Sequence, residues 1–191
     1  MKILLHACCA PCSGAVIEAL LNESVVLTVF YYNPNIHPLV EYERRKAENK
    51  RFAEKLGVPF VDADYDSPAW FARVKGLEDE PERGARCTQC FDMRLVRTAL
   101  HAHENGFDGF ATSLGISRHK DLTQVDASGH RAAALYTGLR YIDRNWRRQG
   151  GTERSAQIAH DEGFYRQNYC GCVFSLRHAE ARLAKNPESL P

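Results

Sequence analysis

The run Lys2-Ile3-Leu4-Leu5-His6-Ala7, followed at once by Cys8-Cys9-Ala10-Pro11-Cys12, decides the fold. Its apolar half is short and reads as a buried strand. A turn follows, and Pro11, with its fixed φ and missing N–H, suits the first position of a helix. Ser13 to Leu21 continues as that helix. The chain therefore opens strand–turn–helix, with three thiols at the joint.

The alternation repeats outward from there. Val25 to Tyr32 is rich in β-branched and aromatic residues and predicts a second strand, ended by Asn33-Pro34-Asn35. Leu39 to Leu56 has apolar positions at helical spacing, with Gly57 as its stop. Val58 to Ala63 predicts a third strand, Phe107 to Leu114 a fourth and Leu139 to Ile142 a fifth. Residues 67–106 read as mostly helical, broken near Pro81 and Gly84, and Gln157 to Phe164 and Phe174 to Leu183 as helical again. The tail Asn186 to Pro191 reads as frayed. Strands alternating with helices predict an α/β three-layer sandwich: a mostly parallel sheet of about five strands, plus helical elaboration. Such sheets bind ligands beyond the carboxyl ends of their strands, where Cys8 and Cys9 fall.

A chain of 191 residues predicts one domain spanning 1–191. Hydrophobic residues at 44% and charged residues at 26% exclude long disorder and fibrous character. No apolar run approaches the ~18 residues of a membrane span, and the start lacks the apolar region of a signal peptide. A cytoplasmic protein without membrane association is the expectation. The net charge of +1 neither advertises nor excludes a nucleic-acid partner.

Seven cysteines in such a chain are the anomaly, and they cluster: Cys8, Cys9 and Cys12; Cys87 and Cys90; Cys170 and Cys172. A reducing compartment argues against a disulfide framework and for metal or redox chemistry. A helix N-terminus favours thiolates through its partial positive charge. Cys87-Thr88-Gln89-Cys90 spaces two sulfurs to converge on one metal or cluster edge, and residue types leave zinc and an iron–sulfur cluster both open. Cys170-Gly171-Cys172 can close only a small strained ring, readily re-reduced, which suits a dithiol that delivers two electrons. Two further metal ligands are the alternative there.

Other residues carry less. His6 reads as a satisfied core histidine, and Asp92 and Arg94 as an exposed ion pair or as neighbours of a metal. Neither GxxxxGK[ST], GxGxxG nor the SGGxDS of ATP pyrophosphatases is present, which argues against ATP chemistry. Asp143 to Gly151 combines Arg144, Arg147 and Arg148 with an exposed-looking Trp146, a loop suited to phosphates and a splayed base. Arg44, Arg45, Lys46, Lys50 and Arg51 add a basic helix segment.

Several motifs in one order carry a resemblance: LLHACCAPC, YYNPNIHP, RCTQCFDMRL, FATSLGISRHKD and YRQNYCGCVFS. The chain resembles the QueH-type epoxyqueuosine reductases over nearly its whole length. That resemblance implies a HUP-type, adenine-nucleotide α-hydrolase-like fold. It implies two-electron removal of the epoxide oxygen from epoxyqueuosine at the wobble position of tRNA, the last step of queuosine biosynthesis. It also implies a 4Fe–4S cluster with an additional iron nearby, and an electron donor not identified by the sequence. On that footing Cys8, Cys9, Cys87 and Cys90 are assigned as cluster ligands. Cys170 and Cys172 become the redox-active pair, and Cys12 a ligand of the auxiliary iron or a proton donor, with Asp92 or Asp121 as a carboxylate there. The competing expectation is a zinc-stapled tRNA-binding module without redox activity.

Overall fold

The computed structural model describes residues 1–185; the tail expected to fray, 186–191, lies outside them. Five strands form one parallel sheet: β1 Lys2–His6, β2 Val26–Tyr31, β3 Phe60–Asp62, β4 Gly109–Thr112 and β5 Arg140–Tyr141, in the order β3-β2-β1-β4-β5. Seven helices accompany them among the described residues: α1 Ala10–Leu21, α2 Leu39–Lys55, α3 Ser67–Val74, α4 Ala85–Glu104, α5 Leu122–Ala133, α6 Gly151–Asp161 and α7 Val173–Lys185. None is long and apolar enough to cross a membrane.

The apolar run at the start becomes the central strand because both its faces are covered. Side chains alternate along a strand. Ile3, Leu5 and Ala7 join a core with Val16 and Ile17 of α1, Phe52 of α2 and Ile158 of α6. Leu4 points the other way, against Phe30, Phe110 and the α4 and α5 residues Leu95, Ala99 and Ala132. The result is three layers, as the alternation predicts. Strand order reverses at β1, between β2 on one side and β4 on the other, and a crevice opens beyond the carboxyl ends at such a point.

Several boundaries differ from expectation: α6 starts at Gly151 rather than Gln157 and ends at Asp161, and β3 and β4 are shorter than expected. Helix α1 begins at Ala10 rather than Ser13, because extended Cys9 (φ −157°) caps it and places Pro11 in the first turn. Strand β5 has only two residues, because the Leu139 N–H closes a turn on Tyr136 O at 3.2 Å.

Gly129 shows how tightly α5 meets β5. A Cβ there would lie 2.4 Å from the Tyr141 ring, whose hydroxyl is tied to Asp126 Oδ1 at 3.0 Å. Gly129→Ala is therefore expected to destabilise the fold by about 1–3 kcal/mol, seen as a lower urea midpoint at constant slope. An unchanged midpoint would show that the ring swings aside freely.

Candidate metal centre at the carboxyl edge of the sheet

His6 ends β1 and is wholly buried. Its Nε2 faces Tyr32 O at 3.2 Å, and a carbonyl only accepts, so Nε2 carries the proton. Nδ1 then accepts from the Thr112 hydroxyl at 2.9 Å. Burial first, and the Arg94 charge second, push its pKa down to about 3. His6 is a neutral structural tie between strand ends, as expected, and is not free to bind a metal.

The next residues form the thiol turn. Asn33 Nδ2 donates to Ala7 O at 2.9 Å, and the Cys8 N–H donates to Ser113 Oγ at 3.2 Å, so loops after β2 and β4 hold the turn from both sides. The Sγ atoms of Cys8 and Cys9 lie 3.7 Å apart, and with Cys12, one helical turn on, all three fall within 4.8 Å of one another. Gln167 Nε2 donates to Cys9 Sγ at 2.9 Å. Hydrogen bonds from Cys12 and Cys9 pull the Cys8 thiol well below its ordinary range. The same contacts, first with Cys8 and then with Cys9, push Cys12 well above it. Cys9 is held down by Cys12 but driven up to about 11 by Cys8 and burial. One thiolate forms readily here; full deprotonation calls for a cation among the sulfurs.

The second wall is the start of α4. Cys87, like Cys12, packs against the cluster of Cys8, Cys9, Phe91, Leu114 and Val125. Its sulfur accepts the Arg83 N–H at 3.3 Å, while burial pushes its thiol up to about 12. Cys90, one turn further, packs instead with Trp70, Val74, Phe174 and Cys172. The CxxC thus straddles two groups of thiols.

The third wall is the segment leading into α7. Arg45 Nη1 donates to Cys170 O at 3.1 Å, and the His37 N–H donates to Gly171 O at 2.8 Å. Gly171 has φ +130°, and a Cβ there would meet Arg45 Nη1 at 3.1 Å and Ile36 at 3.2 Å, so only glycine suits the position. Cys172 precedes α7, its sulfur accepting the Ser175 N–H at 3.4 Å; burial nonetheless pushes its thiol up. Cys8, Cys12, Cys87, Cys170 and Cys172 line one cavity of about 250 Å³, with Cys9 and Cys90 buried behind it.

Sequence reasoning missed the cations of this cavity. Half-buried Lys120 lines it. Burial opposes its charge, but the sulfurs of Cys170, Cys8, Cys12 and Cys9 outweigh that and hold its pKa above the ordinary range. Its only signal was its place in SRHKD. Arg45, read as part of a basic face, is buried and paired with Glu41, its Nε 2.7 Å from Oε1. Arg94 is buried as well, and Asp92 pairs with Arg131 at 2.7 Å rather than with it. Asp121 is exposed and caps α5 through the Gln124 N–H at 3.2 Å.

Two side chains of the loop expected to bind tRNA sit otherwise than expected, while Arg144 and Arg148 are exposed. Trp146 is buried, not exposed, beneath the Arg144 guanidinium. Arg147 donates to Gly115 O, Ser117 O and Lys120 O at 2.8, 2.6 and 2.8 Å, so it shapes the loop that carries Lys120. Arg147→Ala is expected to cost about 1–3 kcal/mol of stability by orphaning those carbonyls, and to leave the salt dependence of RNA binding unchanged. A shallower salt slope at full stability would return Arg147 to the RNA surface.

Comparison with known proteins bears on this centre. The family model described as "Epoxyqueuosine reductase QueH" matches residues 3–178. Over 176 residues the chain is 60% identical to epoxyqueuosine reductase QueH of Histophilus somni, covering 92% of this chain and 72% of that protein. It is 58% identical to the protein of the same name from Haemophilus influenzae, with the same coverage. Among solved structures it is similar to the U34-tRNA thiolase NcsA from Methanococcus maripaludis with its [4Fe-4S] cluster. That likeness has a TM-score of 0.55 at 14% identity, over 98% of this chain and 67% of the thiolase, and it supports the α/β fold alone.

Proposed function

The chain belongs to the epoxyqueuosine reductase QueH family, and from that premise we propose that it is an iron–sulfur-dependent oxidoreductase that removes the epoxide oxygen of epoxyqueuosine in tRNA to give queuosine. The observation that carries this reading is the convergence of thiols from three separate segments on one cavity beside Lys120. The donors suit an iron–sulfur group: the sulfurs of Cys8, Cys9 and Cys12 converge at the β1–α1 joint, and Cys87 on the first turn of α4 packs on the same cluster. Cys8, Cys9, Cys87 and Cys90 would hold a 4Fe–4S cluster, and Cys12, third thiol of the turn, an additional iron unless it delivers a proton instead. Such a group supplies low-potential electron transfer and, at an iron with an open position, a Lewis acid.

Cys170 and Cys172 act as the dithiol. Their two thiols give two electrons and two protons as an Sγ–Sγ bond forms; the epoxide oxygen leaves as water and the ring becomes an alkene. An external two-electron donor, dithionite in an assay, then reopens the disulfide. Lys120 keeps its proton and offsets negative charge that develops in the cavity. Seven unpaired cysteines suit a cytoplasm that keeps thiols reduced. Residues 1–191 are taken as one domain, since a single sheet collects strands from Lys2 to Tyr141.

Anaerobically purified protein with dithionite is expected to be brown and to convert epoxyqueuosine in an anticodon stem–loop. Colourless protein that holds zinc and binds the stem–loop without converting it overturns the reading. Arg83, Lys120 and Arg182 face the cavity against Glu82, so RNA binding is expected to weaken steeply with salt. Exposed Arg182, changed by Arg182→Ala, should lower that logarithmic slope by about one in a titration of stem–loop affinity against salt.

A further inference from the structure

Helix α4 carries Arg86, Cys90 and Arg94 at intervals of four, which places them along one stripe. Both arginines are almost wholly buried, at 1% and 2% exposure. Burying a guanidinium is costly unless a partner compensates its charge. Arg86 Nη1 donates to Leu77 O at 3.2 Å and Glu78 O at 2.7 Å, while its Nε and Nη2 have no partner. Arg94 Nη2 donates to Asn33 Oδ1 at 2.5 Å, and its Nε has none. Those acceptors are neutral amide oxygens. None of the arginine–carboxylate pairs among the described residues involves Arg86 or Arg94. Arg45, also buried beside the cavity, differs because Glu41 already offsets it.

The groups that surround both arginines are thiols, which become anionic only as metal-bound thiolates. Cys90 sits between them in the stripe, and Arg86 itself lines the cavity with Cys87, Cys170 and Cys172. Asn33 also binds Ala7 O, so Arg94 is tied through one amide to the turn that presents Cys8 and Cys9.

We propose that Arg86 and Arg94 are the counter-charges of the thiolate site, balancing its excess negative charge and setting its reduction potential. Net charge and hydrogen bonds to sulfur are the terms by which a protein tunes an iron–sulfur group. A cation fixed nearby favours the reduced, more negative state. The orphaned N–H groups place that cation where water cannot screen it. Arg86 and Arg94 are in this sense positioning residues, acting on the centre through their charge.

The inference rests on the iron–sulfur reading, and the test separates the two. Potentials are measured by anaerobic spectroelectrochemical titration of the loaded protein, with iron and sulfide counted on the same samples. Parent protein without iron and sulfide defeats the iron–sulfur reading itself, and this inference with it. If the parent loads, Arg86→Met and Arg94→Met are expected to shift the potential to more negative values. Arg97→Met, on the same helix but partly exposed and near Asp64, should not. Arg94→Lys, which keeps a charge, should stay closer to the parent than Arg94→Met. Iron lost from Arg94→Met but kept by Arg94→Lys also supports the counter-charge role. Unchanged potentials in loaded Met variants, or iron lost equally from Arg94→Met and Arg94→Lys, overturn it. Arg86→Met carries the test alone if Arg94→Met does not fold, because the hydrogen bonds of Arg86 go only to Leu77 and Glu78 and a methionine keeps packing on the Phe174 ring beneath its guanidinium.

Discussion

Cys87→Ser is expected to strip the visible band and the acid-labile sulfide from the anaerobic protein together, and to lower conversion of epoxyqueuosine by more than about 100-fold. Loss of a residue that merely supports a metal ligand costs ~10–100-fold, so loss of a ligand sets that range as a lower bound. Cys87 is the sharpest choice because it packs on the same cluster as Cys8 and Cys9 and lines one cavity with Cys8 and Cys12. Serine keeps the shape but is a far poorer donor to iron than a thiolate. Cys90→Ser is the companion measurement. Cys90 packs on the side of Cys172, so full iron and sulfide in that variant would remove it from the ligand set and leave Cys12 as the fourth sulfur. Full content in Cys87→Ser would remove the α4 wall from the centre.

Cys170→Ser and Cys172→Ser should separate the two functions of the site. Both variants are expected to keep iron and sulfide, since neither residue is assigned to hold them. Turnover should fall by at least about 100-fold, or ~2.7 kcal/mol of barrier, because the dithiol can no longer close. Exposed Cys170 is the accessible member of the pair, and Cys172 is held at the start of α7 by Ser175. Iron content and conversion are read on the same samples. A variant that loses iron marks its cysteine as a ligand and ends the dithiol role. Wild-type turnover in both variants makes the pair a bystander, with every electron arriving through the metal site.

The alternation of strands and helices was legible because its cause is local. An apolar run of strand length, such as Ile3 to Leu5, followed by a helix reads as a strand buried on both faces of a parallel sheet. The density of cysteines at the first strand–helix joint was legible for the same reason: neighbours in sequence remain neighbours after one turn. Gly171 between two cysteines already signalled an unusual backbone, and its φ of +130° agrees. The loop after β5 misled because a cationic, aromatic segment reads the same whether its side chains face water or plug the protein. Arg147 is spent on carbonyls about thirty residues away, and nothing beside it in the sequence says so.

Periodicity, turn chemistry and residue type thus determined the α/β class and the position of the thiols at the carboxyl edge, and raised the expectation of metal or redox chemistry there. Tertiary structure alone decided which thiols face one another. It set Cys12 with Cys8 and Cys9, turned Cys87 toward them and Cys90 toward Cys172, and brought Gln167 to Cys9 across 158 residues. It also decided that Arg86 and Arg94 are buried without carboxylates, a fact of charge balance rather than of pattern. Local rules act over one helical turn or one strand pair, whereas the field at a sulfur sums every charge that folding brings near it, wherever that charge lies in the chain.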